Sequence, residues 1–155
     1  MSSGSDVSPA LPPAAVLRVL NPMMRLLLRS PAGRAVPGLA LLEFRGRRTG
    51  HHFRVPVGLH AVDGVAYVLT PSSWRANFSG GGPAVLRHRG RARSVVGTLI
   101  PDPETVAVLF RAILAEGTRP GLVGLRMEPS HELVAADVQA LDRCAIRFAD
   151  ASRPA

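Results

Sequence analysis

The segment LALLEFRGRRTGHHFRVPVGLH, residues 39–60, carries the strongest structural signal in this chain. Its first part, Leu39–Arg45, is apolar enough to predict a buried strand, and Phe53–Leu59 predicts a second strand. Between them, Gly46–Gly50 places two arginines and a threonine between two glycines. Glycine lets a bulky anion approach the backbone, and arginine donates to phosphate or carboxylate in a fixed fork. The turn is therefore either an anion cradle or a basic hairpin tip that faces water.

The residues that follow predict a mainly β (α+β) fold. Asp63-Gly64 indicates a hairpin between the second strand and a third strand at Val65–Thr70. A fourth and a fifth strand are predicted at Ala84–His88 and Ala92–Ile100. Pro56 cannot donate a hydrogen bond to a sheet, so it indicates an edge position or a bulge, where backbone groups stay free for a ligand.

The C-terminal part predicts one long helix and several short elements. Asp102-Pro103 is a typical helix start, because Asp caps the helix and Pro fits its first position. Gly117 is a natural stop, and an apolar stripe faces the core between them. Three shorter elements follow: a strand or irregular crossing at Leu122–Met127, a helix at Glu132–Val138 capped by Ser130, and a closing strand at Arg143–Phe148.

The N-terminal part is expected to contribute a tail and helical segments. Residues 1–13 are rich in Ser, Pro and Ala and predict a disordered tail, residues 14–150 predict one domain, and residues 151–155 predict a second tail. Helices are predicted at Ala14–Leu20 and Pro22–Arg29. Either they cap the open end of a barrel, or their arginine side rests peripherally on an anionic bilayer.

Composition narrows the classes of function. The 155-residue chain carries a formal charge of +8, every basic residue outside histidine is Arg, and the arginines concentrate in the middle. A concentrated positive field favours an anionic partner. Aromatic content of 5% gives poor stacking platforms for nucleic acid, and we therefore expect none to bind. A single cysteine, no signal peptide and no apolar run of about 20 residues predict a cytoplasmic protein.

Specific catalytic patterns are missing from the sequence. The histidines are scattered or adjacent, and adjacent strand residues point to opposite faces, so no metal site is expected. No Gly-x-Ser-x-Gly, Gly-x-Gly-x-x-Gly or Walker loop occurs, and no catalytic residue can be assigned. Cys144, in an apolar run, is expected to be a small buried core residue.

Two further basic or aromatic stretches stand beside strands. Arg87, Arg89, Arg91 and Arg93 alternate along the fourth and fifth strands, so that Arg87 and Arg89 are expected to share one face, as are Arg91 and Arg93. They form either a solvated face or one wall of an anion-lined groove. After the third strand, Pro71–Pro83 contains Trp74-Arg75-Ala76-Asn77 and a run of glycines.

The order of these motifs over roughly residues 20–115 resembles the deazaflavin-dependent nitroreductase family of flavin and deazaflavin oxidoreductases. The resemblance implies a split β-barrel of the FMN-binding type, with an N-terminal helix and one or two peripheral helices. It also implies a reduced deazaflavin coenzyme (F-420) that passes hydride to a small hydrophobic quinone, nitro or enone acceptor. FMN or FAD in the same barrel, or a non-catalytic module that binds a cofactor or anion, are the alternatives. A monomer or a homodimer is compatible with the family.

The resemblance also implies which residues bind the cofactor. Arg47, Arg48, Thr49 and Gly50 would hold the phosphate and tail, the strand Arg54-Val55-Pro56-Val57 would pass its backbone along the ring, and Thr70, Trp74, Arg75 and Asn77 would close the pocket. Simpler roles are also open: Trp74 as a plug of the barrel mouth, Asn77 as a turn residue, and Thr49 as the partner of a hairpin amide.

The chain departs from the family pattern at two positions. Gly58 stands where the family often has a Tyr, and the only tyrosine of the chain is Tyr67. Phe53 replaces an arginine that the family usually carries early in the second strand, and Arg54 is shifted by one residue. A shift of one residue turns a strand side chain to the opposite face of the sheet, away from where the family's arginine points.

Overall fold

The computed structural model describes residues 7–9, 38–117, 125–127 and 131–151. Within these residues the chain is mainly β, with two α-helices and one 3₁₀ helix. The strands are β1 (Val7–Pro9), β2 (Leu39–Arg45), β3 (His52–Gly58), β4 (His60–Val62), β5 (Val65–Thr70), β6 (Gly82–His88), β7 (Arg91–Ile100), β8 (Leu125–Met127) and β9 (Cys144–Asp150). The α-helices are α1 (Pro103–Ala115) and α2 (Ala135–Ala140), and the 3₁₀ helix is Ser73–Phe78.

Seven strands form one antiparallel sheet in the order β3-β2-β6-β7-β9-β5-β4. The sheet curls into a half-barrel, which brings β3 into contact with β5 across the open side. Among the described residues β3 pairs only with β2, from Leu39 opposite Gly58 to Arg45 opposite His52. One hydrogen-bonding edge of β3 therefore has no strand partner within the described part of the chain. Separately, β1 pairs with β8.

The concave face of the sheet encloses an apolar core. Side chains alternate along a strand, so Ala40, Leu42 and Phe44 of β2 point into this core. Full burial of a leucine or phenylalanine stabilises the fold by roughly 1.5–3 kcal/mol. The other buried members of this core come from β3, β5, β6, β7, β9 and the 3₁₀ helix: Val57, Val68, Phe78, Ala84, Leu86, Val95, Ile146 and Phe148.

Helix α1 covers the opposite face of β4, β5 and β9. The Asp102 carboxylate caps the helix by accepting from the Thr105 amide (3.0 Å) and the Thr105 hydroxyl (2.6 Å). A second apolar core lies beneath it and beneath α2, with Val106, Phe110 and Ile113 buried. Tyr67 packs against this second core. The only tyrosine of the chain therefore lies on the helix side of the sheet.

The 3₁₀ helix is anchored to the sheet by a close approach. Phe78 is buried and lies over Gly97 of β7: a Cβ atom built at Gly97 would be 2.7 Å from Phe78 Cδ1 and 3.0 Å from Phe148 Cε1. No side chain larger than hydrogen fits between these rings without movement. Gly97 thus lets Phe78 fix the position of the segment that carries Trp74 and Asn77.

Most sequence predictions of elements are confirmed. The strands Leu39–Arg45 and Val65–Thr70 and the helix beginning at Pro103 occur as expected, and Pro56 lies on an edge strand. The two strands after residue 80 are extended by up to two residues at their starts. Cys144 is buried, as expected.

The predicted hairpin after the second strand is wrong in one respect. Leu59 separates β3 from β4, and its amide continues the pairing with the β2 side by donating to the Gly38 carbonyl (2.8 Å). The separate strand β4 then forms the Asp63-Gly64 hairpin with β5. As a result β3 and β4 lie at opposite edges of the sheet.

Three other predictions need correction or lie outside the described residues. The short helix begins at Ala135 instead of Glu132, because the amide of Val134 donates to the Asp137 carboxylate (3.0 Å) and sets the helix start there. Residues 7–9, within the predicted tail, form a strand. The helices expected at 14–20 and 22–29, and the cap at Ser130, lie outside the described residues. No helix in the described part of the chain is long and apolar enough to cross a membrane.

Candidate functional site

The turn between β2 and β3 is closed by its own backbone. The Gly46 amide donates to the His51 carbonyl (2.8 Å), and the Gly50 amide donates to the Gly46 carbonyl (2.9 Å). Gly50 has a φ of 70°, a conformation that glycine adopts without steric cost. The Thr49 hydroxyl accepts from the His51 amide (3.2 Å). Thr49 therefore satisfies a turn amide, the simpler of the two roles considered for it.

This turn docks onto the 3₁₀ helix through Asn77. The backbone amide of Arg47 donates to Asn77 Oδ1 (2.9 Å), and Asn77 Nδ2 donates to the Trp74 carbonyl (2.8 Å). The Arg47 guanidinium also donates to the Gly81 carbonyl. The two sequence motifs are thus joined by two hydrogen bonds, both from Arg47, and the bond from Asn77 to Trp74 fixes the Asn77 side chain within its own segment. One nitrogen of the Arg47 guanidinium is committed to this contact.

Gly82 permits the Asn77 backbone and the Arg47 guanidinium to lie close to the start of β6. A Cβ atom built there would lie 2.8 Å from the Asn77 carbonyl oxygen and 3.7 Å from Arg47 Nη2. Because the nearest atom belongs to the backbone, it cannot move aside as a flexible side chain would. Gly82 is therefore a structural requirement of the docked turns.

An aromatic cluster lies between the two motifs and the core. The Trp74 ring centroid is 5.5 Å from that of Phe44 and 6.1 Å from that of Phe78. Phe53 stacks on Phe44 at 5.0 Å, and the His51 ring meets Phe53 edge-on at 4.9 Å. Trp74 is only partly buried, so its ring bridges the core and the surface. These contacts hold the turn, β3 and the 3₁₀ helix in fixed relation.

A cavity runs along β3 beside the turn. It has a volume of about 380 Å³ and is lined by the consecutive residues His51–Val55. Arg54 Nε is buried and has no hydrogen-bond partner among the described residues. An unpaired buried donor in the wall of a cavity is costly unless a ligand or water accepts from it. The cavity therefore suits a ligand with an acceptor group.

The strand β3 presents different side chains on its two faces. Val55 and Val57 lie on the concave face, opposite Leu42 and Ala40 of β2. Arg54 and Pro56 lie on the other face, and Arg54 is opposite Glu43. The structure therefore separates the four predicted residues into two pairs. Only a ligand that lies along the unpaired edge of β3 can approach the backbone of both pairs of residues.

Arg48 is the least committed of the predicted anion-binding residues. It is exposed and makes no hydrogen bond or ion pair within the described part of the chain. Its neighbour Arg47 is held by Gly81, as described above. An exposed guanidinium with free donors, presented on a fixed turn, can bind phosphate or carboxylate in the bidentate manner.

Two predicted residues serve the fold in this structure. The Arg75 guanidinium donates to the Asp142 carbonyl (2.8 Å) and to its Oδ1 (2.9 Å), which ties the 3₁₀ helix to the start of β9. Thr70 is buried, and its hydroxyl accepts from the Ser72 amide (3.0 Å). Each of the two side chains therefore makes a hydrogen bond that holds the fold together.

His51 and His52 lie at the cavity, whereas the sequence analysis weighed the histidines only as metal ligands. Both line the cavity along β3, and both are exposed. His51 lies in the turn, and His52 is the first residue of β3. In the sequence, only their position directly after the Arg47–Gly50 turn indicated this placement. Unlike arginine, histidine can give up a proton near neutral pH.

Other reactive groups do not gather at this site. No group of three or more His, Cys, Asp or Glu in the described residues could hold a metal ion. Burial raises the pKa of the Cys144 thiol; the Asp142 carboxylate adds to this shift and the Arg75 guanidinium opposes it. The thiol therefore stays protonated at neutral pH and is a poor nucleophile.

Comparison with known proteins adds no assignment. The chain matches no model of a known protein family, and no curated protein sequence matches it.

Proposed function

We propose that this protein is an oxidoreductase that binds a reduced deazaflavin coenzyme and uses it to reduce a small hydrophobic quinone, nitro or enone acceptor. The observation that carries the proposal is the docking of the Arg47–Gly50 turn onto the Trp74–Asn77 segment, beside the free edge of β3. These are the segments that the family resemblance associates with the cofactor. They are distant in sequence and adjacent in space.

The chemistry of the residues suits such a coenzyme, which carries a planar ring, a phosphodiester and a tail of carboxylates. Arg48 offers free donors for the phosphate or tail, and Arg47 offers the guanidinium nitrogens not bound to Gly81. The unpaired Arg54 Nε and the free edge of β3 offer donors to the polar groups of a ring. Trp74 and Phe53 supply apolar surface at the same place.

When bound, the deazaflavin would supply the hydride, and the protein has to orient it and provide a proton for the reduced acceptor. The residue that often does this in the family is a Tyr, and Gly58 stands in its place. Tyr67 packs against the core under α1, on the other side of the sheet. His51 and His52 line the cavity and are the nearest proton donors to it. We assign one of them the proton-donor role.

The position of Tyr67 also favours a second candidate function, a module that binds the coenzyme without turnover. Both functions require the same binding residues, and they differ in the need for His51 or His52. An FMN- or FAD-dependent reductase is a further alternative, because a bare flavin phosphate needs only the donors of the turn.

The first test is a titration of the purified protein with deazaflavin coenzyme, with FMN in parallel and at several salt concentrations. We expect micromolar or tighter binding of the coenzyme that weakens with salt, and weaker binding of FMN. Arg48→Ala is expected to weaken coenzyme binding about tenfold, the usual effect of losing a charge-assisted contact, and to leave a deazaflavin nucleoside without phosphate unaffected.

Arg147→Ala is the matched control, since Arg147 is an exposed arginine of β9 on the helix side of the sheet, and it removes the same charge. Equal losses for Arg48→Ala and Arg147→Ala, or for coenzyme and nucleoside, would refute the role of the turn. Turnover of a quinone or nitro acceptor that is lost in the double variant His51→Ala, His52→Ala, with binding kept, would separate the reductase from the binding module.

A further inference from the structure

A second basic cleft lies at the β6–β7 hairpin, away from the turn described above. It has a volume of about 480 Å³ and is lined by His88, Arg89, Arg91 and Arg93. Residue His88 lies opposite Ala40 near the start of β2, and the Arg47–Gly50 turn follows the end of β2. Six residues of extended strand separate the two places by about 20 Å. The hairpin cleft is therefore a distinct place on the molecule.

His88, Arg91 and Arg93 of this cleft lie on the same face of the sheet as the apolar core. Arg91 is opposite His88, and Arg93 is opposite Leu86, which is buried in the core. Arg93 and Val95 are two residues apart on β7 and so share this face. Arg87, in contrast, is on the other face and pairs with Glu43 at 2.9 Å. The expectation that Arg87 and Arg89 share a face is wrong, because Arg89 lies in the turn.

Charges that point inward on strands often protect a sheet edge from pairing. That role fits Arg91 and Arg93, because β7 pairs with β9 only from Val95 onwards, and Arg91 and Arg93 pair only with β6 among the described residues. A solvated hairpin tip is the other ordinary explanation. Neither accounts for His88 Nε2, which is buried and has no hydrogen-bond partner among the described residues.

The hairpin turn brings a further arginine to the cleft. Arg89 has a φ of 51° and Gly90 a φ of 75°, the positive values that a type I′ turn requires. Asn or Gly is favoured at the first of these positions, and arginine there costs backbone strain. The turn conformation places a third guanidinium at the cleft.

Little negative charge balances this cluster. The acid near it is Asp150, whose Oδ1 is 3.7 Å from Arg93 Nη1, and both side chains are about half exposed (43% and 53%). Arg89 and Arg91 make no ion pair within the described residues. Three guanidinium groups and an imidazole around one cleft carry more donors and charge than a single carboxylate can satisfy.

We propose that the cleft formed by His88, Arg89, Arg91 and Arg93 is a binding site for a small soluble phosphate ester or diphosphate. The guanidinium groups bind the phosphate oxygens in bidentate pairs, and the buried His88 Nε2 contacts the same anion. The site is independent of the deazaflavin function and does not use the Arg47–Gly50 turn.

The test uses inorganic pyrophosphate as the probe, titrated into the full chain and followed by calorimetry and by NMR of the histidine rings. We expect saturable binding of one pyrophosphate at this cleft that weakens with salt, together with a shift of the His88 ring signals. Arg91→Ala and Arg93→Ala are each expected to weaken binding about tenfold. Arg147→Ala, the matched charge control, is expected to change it by less than about twofold.

Arg89→Asn separates binding from folding. It supplies the favoured Asn-Gly pair of a type I′ turn, so the melting temperature should stay the same or rise while pyrophosphate binding falls. Three results would overturn the proposal: no saturable binding of pyrophosphate, equal weakening by Arg147→Ala, or loss of pyrophosphate binding in the double variant Arg47→Ala, Arg48→Ala. Binding of single-stranded RNA or anionic vesicles without binding of pyrophosphate would also refute it.

Discussion

Replacing Asn77 with alanine tests whether the two motifs form one unit. The Asn77 amide accepts from the Arg47 backbone (2.9 Å) and donates to the Trp74 carbonyl (2.8 Å). A typical hydrogen bond contributes about 0.5–1.5 kcal/mol net to stability. The bond to Arg47 is exposed, so water replaces it at low cost, whereas the bond to Trp74 is partly buried. We expect Asn77→Ala to destabilise the fold by about 1–2 kcal/mol.

The measurement is urea-induced unfolding, followed through the fluorescence of Trp74, the only tryptophan. A loss of this size is expected to lower the melting temperature by roughly 2–8 °C for a chain of this length. The same variant should weaken binding of deazaflavin coenzyme more than Ser73→Ala does. Ser73 is an exposed residue of the same 3₁₀ helix and makes no side-chain hydrogen bond within the described residues, so Ser73→Ala is the matched control.

The variant Asn77→Asp tests the two hydrogen bonds of Asn77 separately. Aspartate keeps the acceptor for the Arg47 amide and loses the donor to the Trp74 carbonyl, so it should destabilise the fold while keeping the turn docked. Unchanged stability and unchanged coenzyme affinity in Asn77→Ala would refute the reasoning. The turn and the 3₁₀ helix would then be held by the aromatic cluster alone.

Two further predictions concern stability. Gly97→Ala should cost about 1–3 kcal/mol by overpacking against Phe78, and urea unfolding would contradict this if its midpoint matched that of Thr98→Ala, an exposed position on the same strand. The pKa of Asp137 is lowered: burial would raise it, but hydrogen bonds from the Val134 amide and His131 outweigh burial. Its stabilising contribution should be complete above the ordinary carboxyl pKa of about 4 and disappear as pH falls through the lowered value. Thermal unfolding from pH 2 to 6 should show a smaller acid loss for Asp137→Asn than for the unaltered chain.

Local signals in the sequence predicted much of the secondary structure. Alternating apolar residues, an Asp-Gly turn and the Asp-Pro start of α1 are properties of neighbouring residues, and the strands and the helix occur where these signals indicate. The edge position of Pro56 also followed, because proline lacks an amide proton whatever surrounds it. The turn Arg47–Gly50 was identified from its local composition, two arginines and a threonine between two glycines.

The roles of individual site residues could not be predicted in this way. Thr49, Thr70 and Arg75 have the chemistry of ligand-binding residues, and their hydrogen bonds go to His51, Ser72 and Asp142 instead. Arg75 and Asp142 are far apart in sequence, so no local pattern indicates their pairing. The exact start of the helix after residue 130 was missed because a single Asp137 contact determines it.

The sequence by itself determined which segments are strands, which is the long helix, and where the basic turns lie, because these depend on side chains a few residues apart. Only the tertiary structure decided which arginines are free. The curled sheet commits Arg75 and Arg87 to acids and holds Arg47 against a carbonyl. It leaves Arg48, Arg89 and Arg91 without ion-pair partners in the described residues. Charge follows from composition, whereas the availability of a charge depends on what the fold brings within hydrogen-bonding distance.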